Sequence, residues 1–123
     1  MIPLEVRSWS SPDVELGSHT EVMREAAYFL VELEIGETGV DGADVFYVVV
    51  TTPEALRVKA TEGDPVLRDR ATLVVSDFDW PRIRATLERI VEACAAKDWR
   101  ESVLRLQRYF KWEYEDYRRD DGG

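Results

Sequence analysis

Residues suited to covalent or metal chemistry are scarce in this chain. It has one histidine, His19, and one cysteine, Cys94, in 123 residues. A Ser/His/Asp or Cys/His scheme would rest wholly on His19, which lies in a polar stretch with no supporting motif. Cys94 falls on the apolar stripe of a predicted helix, the place of a small buried hydrophobe. A zinc site would need both residues plus carboxylates, and no recognisable ligand spacing joins them. Asp41, Asp44, Asp77 and Asp79 carry oxygens fit for a hard cation, yet no calcium-loop pattern surrounds them. Gly36-x-x-Gly39-x-x-Gly42 matches neither the Walker nor the dinucleotide pattern, and Glu37, Asp41 and Asp44 beside it would repel phosphate. A pair such as Glu113 and Glu115 could do acid–base work in a cleft, but 25 acidic residues make chance pairs plentiful. The residues imply no cofactor and no metal. A small carboxylate-dependent enzyme stays only as an alternative.

Binding chemistry is better represented. The stretch Arg108-Tyr-Phe-Lys-Trp-Glu-Tyr-Glu-Asp-Tyr117 threads five aromatic rings with three carboxylates. Up to about Phe110 the apolar residues recur at helical spacing; then Phe110, Trp112 and Tyr114 alternate with Lys111, Glu113 and Glu115, which is strand spacing. The change predicts a helix running into an extended segment that docks by its rings and leaves carboxylates outside. Such an edge is either a packed terminus with a solvated rim or a protein-binding surface, and both readings stand at this point. Charge narrows the partners. Twenty-five acids against sixteen bases give a net charge of −9, which repels free nucleic acid and anionic membrane. A basic protein surface would be attracted and its encounter accelerated.

These groups need a body to hold them. With 45% hydrophobic and 33% charged residues the chain reads as one globular domain over 1–123, with 118–123 expected to fray. No apolar run approaches the roughly 18 residues of a membrane span. Met1-Ile-Pro-Leu-Glu-Val-Arg7 lacks the pattern of a secretory signal, and a lone cysteine suits a reducing compartment, so a cytoplasmic location is expected. Leu4–Trp9 reads as a short strand, broken by Ser10–Asp13, and 13–26 as a polar loop with one helical turn near Glu21–Glu25. Tyr28–Ile35 is a half-buried strand, with Phe29, Val31, Leu33 and Ile35 on one face and Glu32 and Glu34 on the other. A long, flexible hairpin tip follows. Val45–Thr51, apolar on both faces, marks the central strand.

Thr52 can cap a short helix with Pro53 in its first turn; 57–70 is polar with a turn at Gly63-Asp-Pro65, and Ala71–Ser76 is another strand. Asp79 caps a helix whose stripe is Ile83, Leu87, Ile90, Val91 and Cys94. Asp98-x-x-Glu101 starts the last helix, with stripe Trp99, Val103, Leu106 and Phe110. The predicted class is α+β: an antiparallel sheet of about four strands with two C-terminal helices packed on one face.

The ordered landmarks also carry a resemblance. They are Leu4-Glu-Val-Arg-Ser-Trp9, Ser11-Pro12-Asp13, the Ile35-Gly36 turn, and Phe46–Thr51 running into Thr52-Pro53. Then come Asp79-Trp80-Pro81-Arg-Ile83, Val91-Glu-Ala-Cys94, Trp99 and Leu106-x-Arg108-Tyr-Phe-x-Trp112-Glu-Tyr-Glu-Asp-Tyr117. Together they resemble the immunity 8 family of bacterial polymorphic-toxin systems, the closing Trp-Glu-aromatic-Glu-Asp-Tyr being the most specific element. The chain departs from the family pattern at Thr51 and Ala55 and through 57–70. The resemblance implies a cytoplasmic antidote that binds and neutralises a cognate secreted or contact-delivered toxin domain, such as a nuclease with a basic cleft. An acidic adaptor for another basic protein is the alternative. Under the resemblance the first candidates for toxin contact are Trp112, Glu113, Tyr114, Glu115, Asp116 and Tyr117, aromatic rings being favoured interface anchors. Glu37, Asp41 and Asp44 of the tip come second, with Asp77 and Asp79 after them. Pairing of two copies through an exposed strand edge stays open.

Overall fold

Alternation along β2 (Tyr28–Glu37) decides which side of the molecule is inside. The computed structural model describes residues 1–17, 27–61 and 71–115. In it Phe29, Val31, Leu33 and Ile35 are fully buried, while Glu32 is half-buried and Glu34 exposed. The strands β1 (Leu4–Ser10) and β3 (Asp44–Thr51) flank β2, both antiparallel to it. Phe46, Val48 and Val50 of β3 point to the same interior. After the helix α1 (Pro53–Thr61), the short strand β4 (Thr72–Val74) runs parallel to β3. Two helices follow, α2 (Trp80–Ala93) and α3 (Trp99–Leu106), and then β5 (Lys111–Trp112), antiparallel to β3. The order is β1-β2-β3-β4, with β5 on the same outer edge of β3 as β4.

Both C-terminal helices lie on one face of this sheet. Trp80, Ile83, Leu87 and Val91 of α2, with Val103 and Leu106 of α3, join the inward side chains of β2 and β3 in a single buried cluster. Each fully buried aliphatic or aromatic side chain there is worth about 1.5–3 kcal/mol relative to exposure. Edge-to-face rings tie the layers together: Phe29 to Phe78 and Trp9 to Trp80 at 5.4 Å, and Phe46 to Phe110 at 6.5 Å. The class is therefore the α+β arrangement that the periodicities predict, but the sheet is mixed and not wholly antiparallel, because β4 pairs parallel to β3.

Three elements differ in detail from the sequence expectation. The helix after Thr52 does not stop near Leu56 but continues to Thr61, which supplies the crossover a parallel β3–β4 pair requires. Polarity of the segment concealed that length. The last helix ends at Leu106, four residues early; a turn in which the Phe110 N–H bonds the Leu106 carbonyl at 2.9 Å still delivers Phe110 to the core. The extended run after it is limited to Lys111–Trp112, because 113–115 turn back. The expected helical turn near Glu21–Glu25, the turn at Gly63-Asp-Pro65 and the tail 118–123 lie outside the described residues.

Local chemistry sets the element ends. Thr52 Oγ1 accepts from the N–H groups of Ala55 and Ala27, each at 3.2 Å, so one buried hydroxyl caps α1 and anchors the entry to β2. Asp79 and Asp98 cap α2 and α3, accepting from Arg82 and Glu101 N–H at 3.4 and 2.8 Å. Asp13 Oδ2 accepts from Leu30 N–H at 2.8 Å, completing β2 where β1 has ended.

The hairpin tip is tied rather than loose. The register slips between Val6 and Ser8, and the bulged residue, Arg7, forks its guanidinium into the tip. It donates to the carbonyls of Gly42 and Glu37, each at 2.6 Å, and to that of Val40. Gly39 and Gly42 take positive φ, 83° and 97°, which lets those carbonyls converge. A Cβ on Gly36 would lie 2.6 Å from the Gly42 oxygen, so only glycine fits beneath the fork. Arg7→Ala is expected to lower unfolding free energy by about 1–3 kcal/mol. Arg7→Lys should recover only part of the loss, because an ammonium cannot reproduce the fork. Urea melts of the three proteins check this, and coincident transitions would show that the tip holds itself.

Candidate functional site

The β3–β5 pairing draws the C-terminal motif against the tip end of the β2–β3 hairpin. Trp112 Nε1–H donates to Asp44 Oδ2 at 3.0 Å, and the Trp112 backbone N–H donates to Glu115 Oε1 at 2.8 Å. Glu113 is bound at two points: its N–H donates to the Val45 carbonyl at 3.0 Å, and its carboxylate accepts from Val45 N–H. Tyr114 stacks edge-on against Trp112, centroids 5.4 Å apart, and stays 42% exposed. One corner thus unites Trp112, Glu113, Tyr114 and Glu115 with Asp44. Beside it Glu37, Asp41, Asp44 and Trp99 line a shallow depression of about 340 Å³.

Asp77 and Asp79 do not join that corner. They stand before α2, around a depression of about 150 Å³ shared with Arg82, where Asp79 is occupied as the helix cap. Asp116 and Tyr117 lie outside the described residues, as does His19. The carboxylates of Asp44, Glu113 and Glu115 each accept from the chain's own N–H groups, which orients the motif.

Cys94 is buried behind α2. Burial pushes its thiol pKa up, more than the neighbouring Arg108 and Arg105 pull it down, so the thiol form is favoured over the nucleophilic thiolate. Among the described residues, no group of three or more His, Cys, Asp and Glu is placed to hold a metal ion.

A second surface emerges that the sequence candidates did not include. The side of the sheet away from α2 and α3 carries Tyr28, Leu30, Val45, Tyr47 and Val49, all half-buried and none part of the core cluster. Helix α1 shields one end: Thr51, which shares this side by alternation, is buried, and Lys59 Nζ sits 4.4 Å from the Tyr28 ring centroid. Farther along, Tyr28, Leu30, Tyr47, Val49, Thr72 and Lys111 frame a depression of about 300 Å³. Glu32 and Glu34 stand on the same side, paired across the strands with Tyr47 and Val45. Ser10 Oγ donates to Glu32 Oε2 at 3.1 Å, and Ser8 Oγ donates to Glu34 Oε1. Burial, with Glu32 and Glu113 adding to it, raises the pKa of the Tyr47 phenol.

The signal for this surface was present in the apolar outer residues of β3, which sequence reasoning used only to place the strand centrally. Central it is, but covered on one face.

Among the described residues, fold and surfaces define an α+β arrangement in which two helices seal one face of the sheet, while the opposite face carries half-buried apolar residues and an acidic aromatic corner stands at its edge. The chain belongs to the immunity protein 8 family, which it matches over residues 4–117. No curated protein and no solved structure matches it. Among the described residues no helix is long and apolar enough to cross a membrane.

The hydrogen bonds of the corner carry an expectation for stability. Glu113→Ala leaves the Val45 N–H without its carboxylate acceptor and should cost about 1 kcal/mol, and Glu113→Lys with Glu115→Lys more. Thermal melts read this directly. An unchanged melting temperature in the double variant would show that these carboxylates have no part in holding the corner.

Proposed function

We propose that this chain is a cytoplasmic antidote that binds a cognate bacterial toxin domain and neutralises it stoichiometrically, without turning over a substrate. The observation that carries the reading is membership of the immunity protein 8 family across residues 4–117, nearly the whole chain. Its physical character agrees with that role. A net charge of −9 suits a partner with a basic surface, and a nuclease cleft built for phosphate is such a surface. Neutralisation then needs only occupancy: a rigid anionic body over or beside the cleft excludes nucleic acid by bulk and by charge. Tyr114, exposed at the acidic corner, and the half-buried tyrosines of the sheet face opposite α2 and α3 are the kind of ring that anchors protein interfaces.

The test is co-expression with the toxin domain encoded beside this chain's gene. Growth should be restored by this chain and lost again when its start codon is removed. Binding without rescue would identify an adaptor, and turnover of a substrate by the purified chain would identify an enzyme; either overturns the antidote reading. Reversal of Glu113, Glu115 and Asp116 to Lys should weaken rescue if the corner touches the toxin, read at a temperature well below the variant's own lowered melting point.

A further inference from the structure

We propose that the face of the sheet opposite α2 and α3, centred on Leu30, Glu32, Glu34, Tyr47 and Val49, is where the toxin docks, and that it receives a basic patch with an apolar centre. The inference rests on the antidote reading and adds to it the surface and the chemistry of the partner.

The face has the composition of an interface and not of a solvated sheet surface. An antiparallel sheet with one wet side shows polar residues there in regular alternation. Here the wet side of β2 and β3 instead reads Tyr28, Leu30, Glu32, Glu34 and Val45, Tyr47, Val49. Val74 of β4, on the same side by register with Thr51, is 47% exposed. At ordinary strand spacing and rise, four strands of this length present roughly 500 Å² in projection. That is the larger part of the ≈ 800 Å² each partner contributes to a standard interface. The depression between Tyr28, Leu30, Tyr47 and Val49 offers a seat for one protruding side chain.

Register across the face gives the partner's polarity. Cross-strand neighbours form one row, Ser10, Glu32, Tyr47 and Lys111, and a second, Ser8, Glu34 and Val45. The serines hold the two carboxylates from the β1 side. No lysine or arginine among the described residues forms an ion pair with either one, whereas Glu5, Glu54, Glu88 and Glu101 each have such a partner. Lys59 stands at the Tyr28 end of the face, and Lys111 closes the Glu32 row on the far side of Tyr47. A pre-oriented pair of uncompensated carboxylates beside an apolar seat fits a lysine or arginine pair flanking an apolar residue. A second copy of this chain fits poorly. An isologous pairing would place Glu32 and Glu34 and their symmetry mates in one interface, between bodies each carrying −9.

The experiment measures binding kinetics between the full chain and the purified toxin domain encoded beside its gene, at low and at raised salt. Leu30→Arg and Tyr47→Ala should each weaken affinity about 100-fold or more by raising the off-rate. Glu32→Gln with Glu34→Gln should slow association about tenfold at low salt and flatten its salt dependence. Glu88→Lys, on α2, should change neither rate more than about twofold. Melting curves accompany every variant; if Leu30→Arg fails to fold, the Gln pair, which only removes two charges, decides the matter. Gln-pair and Tyr47→Ala proteins that melt like the parent and bind within twofold of it would place the toxin elsewhere and leave the antidote reading standing. Failure of the unaltered chain to bind or protect would remove both. A parent chain that sediments as a dimer and becomes monomeric on Leu30→Arg would give the face to a second copy and overturn the proposal.

Discussion

The structure depends on a one-sided burial. The inward side chains of the β2–β3 hairpin (Phe29, Val31, Leu33, Ile35, Phe46, Val48 and Val50) pack against Trp80, Ile83, Leu87, Val91, Val103 and Leu106, and nearly all the large core residues belong to that single layer boundary. Helices α2 and α3 set their apolar stripes on this face, and α2 also packs against β1 through Trp80 and Trp9. On the other side, helix α1 shields the end at Thr51, while Leu30, Glu32, Glu34, Val45, Tyr47 and Val49 lie outside the core cluster.

The C-terminal motif plays a part of a different kind. Phe110 seals the core from below, while Trp112, Glu113 and Glu115 attach a two-residue strand to β3 through backbone and side-chain hydrogen bonds. Asp44, at the other end of the hairpin tip, completes the attachment by accepting from the Trp112 indole. The most acidic and aromatic stretch of the chain is thus wired to the scaffold. Without these side chains β5 would have little beyond its backbone pairing to keep it on the sheet edge. The same residues remain partly exposed, so attachment and contact with a partner are compatible.

Charge is distributed with a similar division. Several surface acids are matched by nearby bases, as in the pairs Arg84–Glu88 and Lys97–Glu101, and such exposed pairs contribute little to stability. The carboxylates at 32 and 34 have hydroxyl neighbours instead, and those at 44, 113 and 115 have N–H donors. Both groups are oriented by these donors and contribute to the anionic field outward from the sheet.

Much of the fold was legible in the residues themselves, because local spacing has a direct structural meaning. The alternation of Phe29 to Ile35, the stripe from Ile83 to Val91, and the caps at Thr52, Asp79 and Asp98 each specify an element without reference to anything distant. The family pattern was legible for the same reason, being a list of such local landmarks in order. Three things required the tertiary structure. That α1 turns the chain so β4 lies parallel to β3 depends on where a helix of unremarkable polarity ends, and no periodicity marks that point. That Arg7 fills the hairpin tip depends on a bulge pairing residues 30 and more positions apart. That Tyr28, Leu30, Tyr47 and Val49 face outward depends on the number of layers. Alternation states that a strand has two sides, but only packing of the whole chain decides how many of those sides receive a cover.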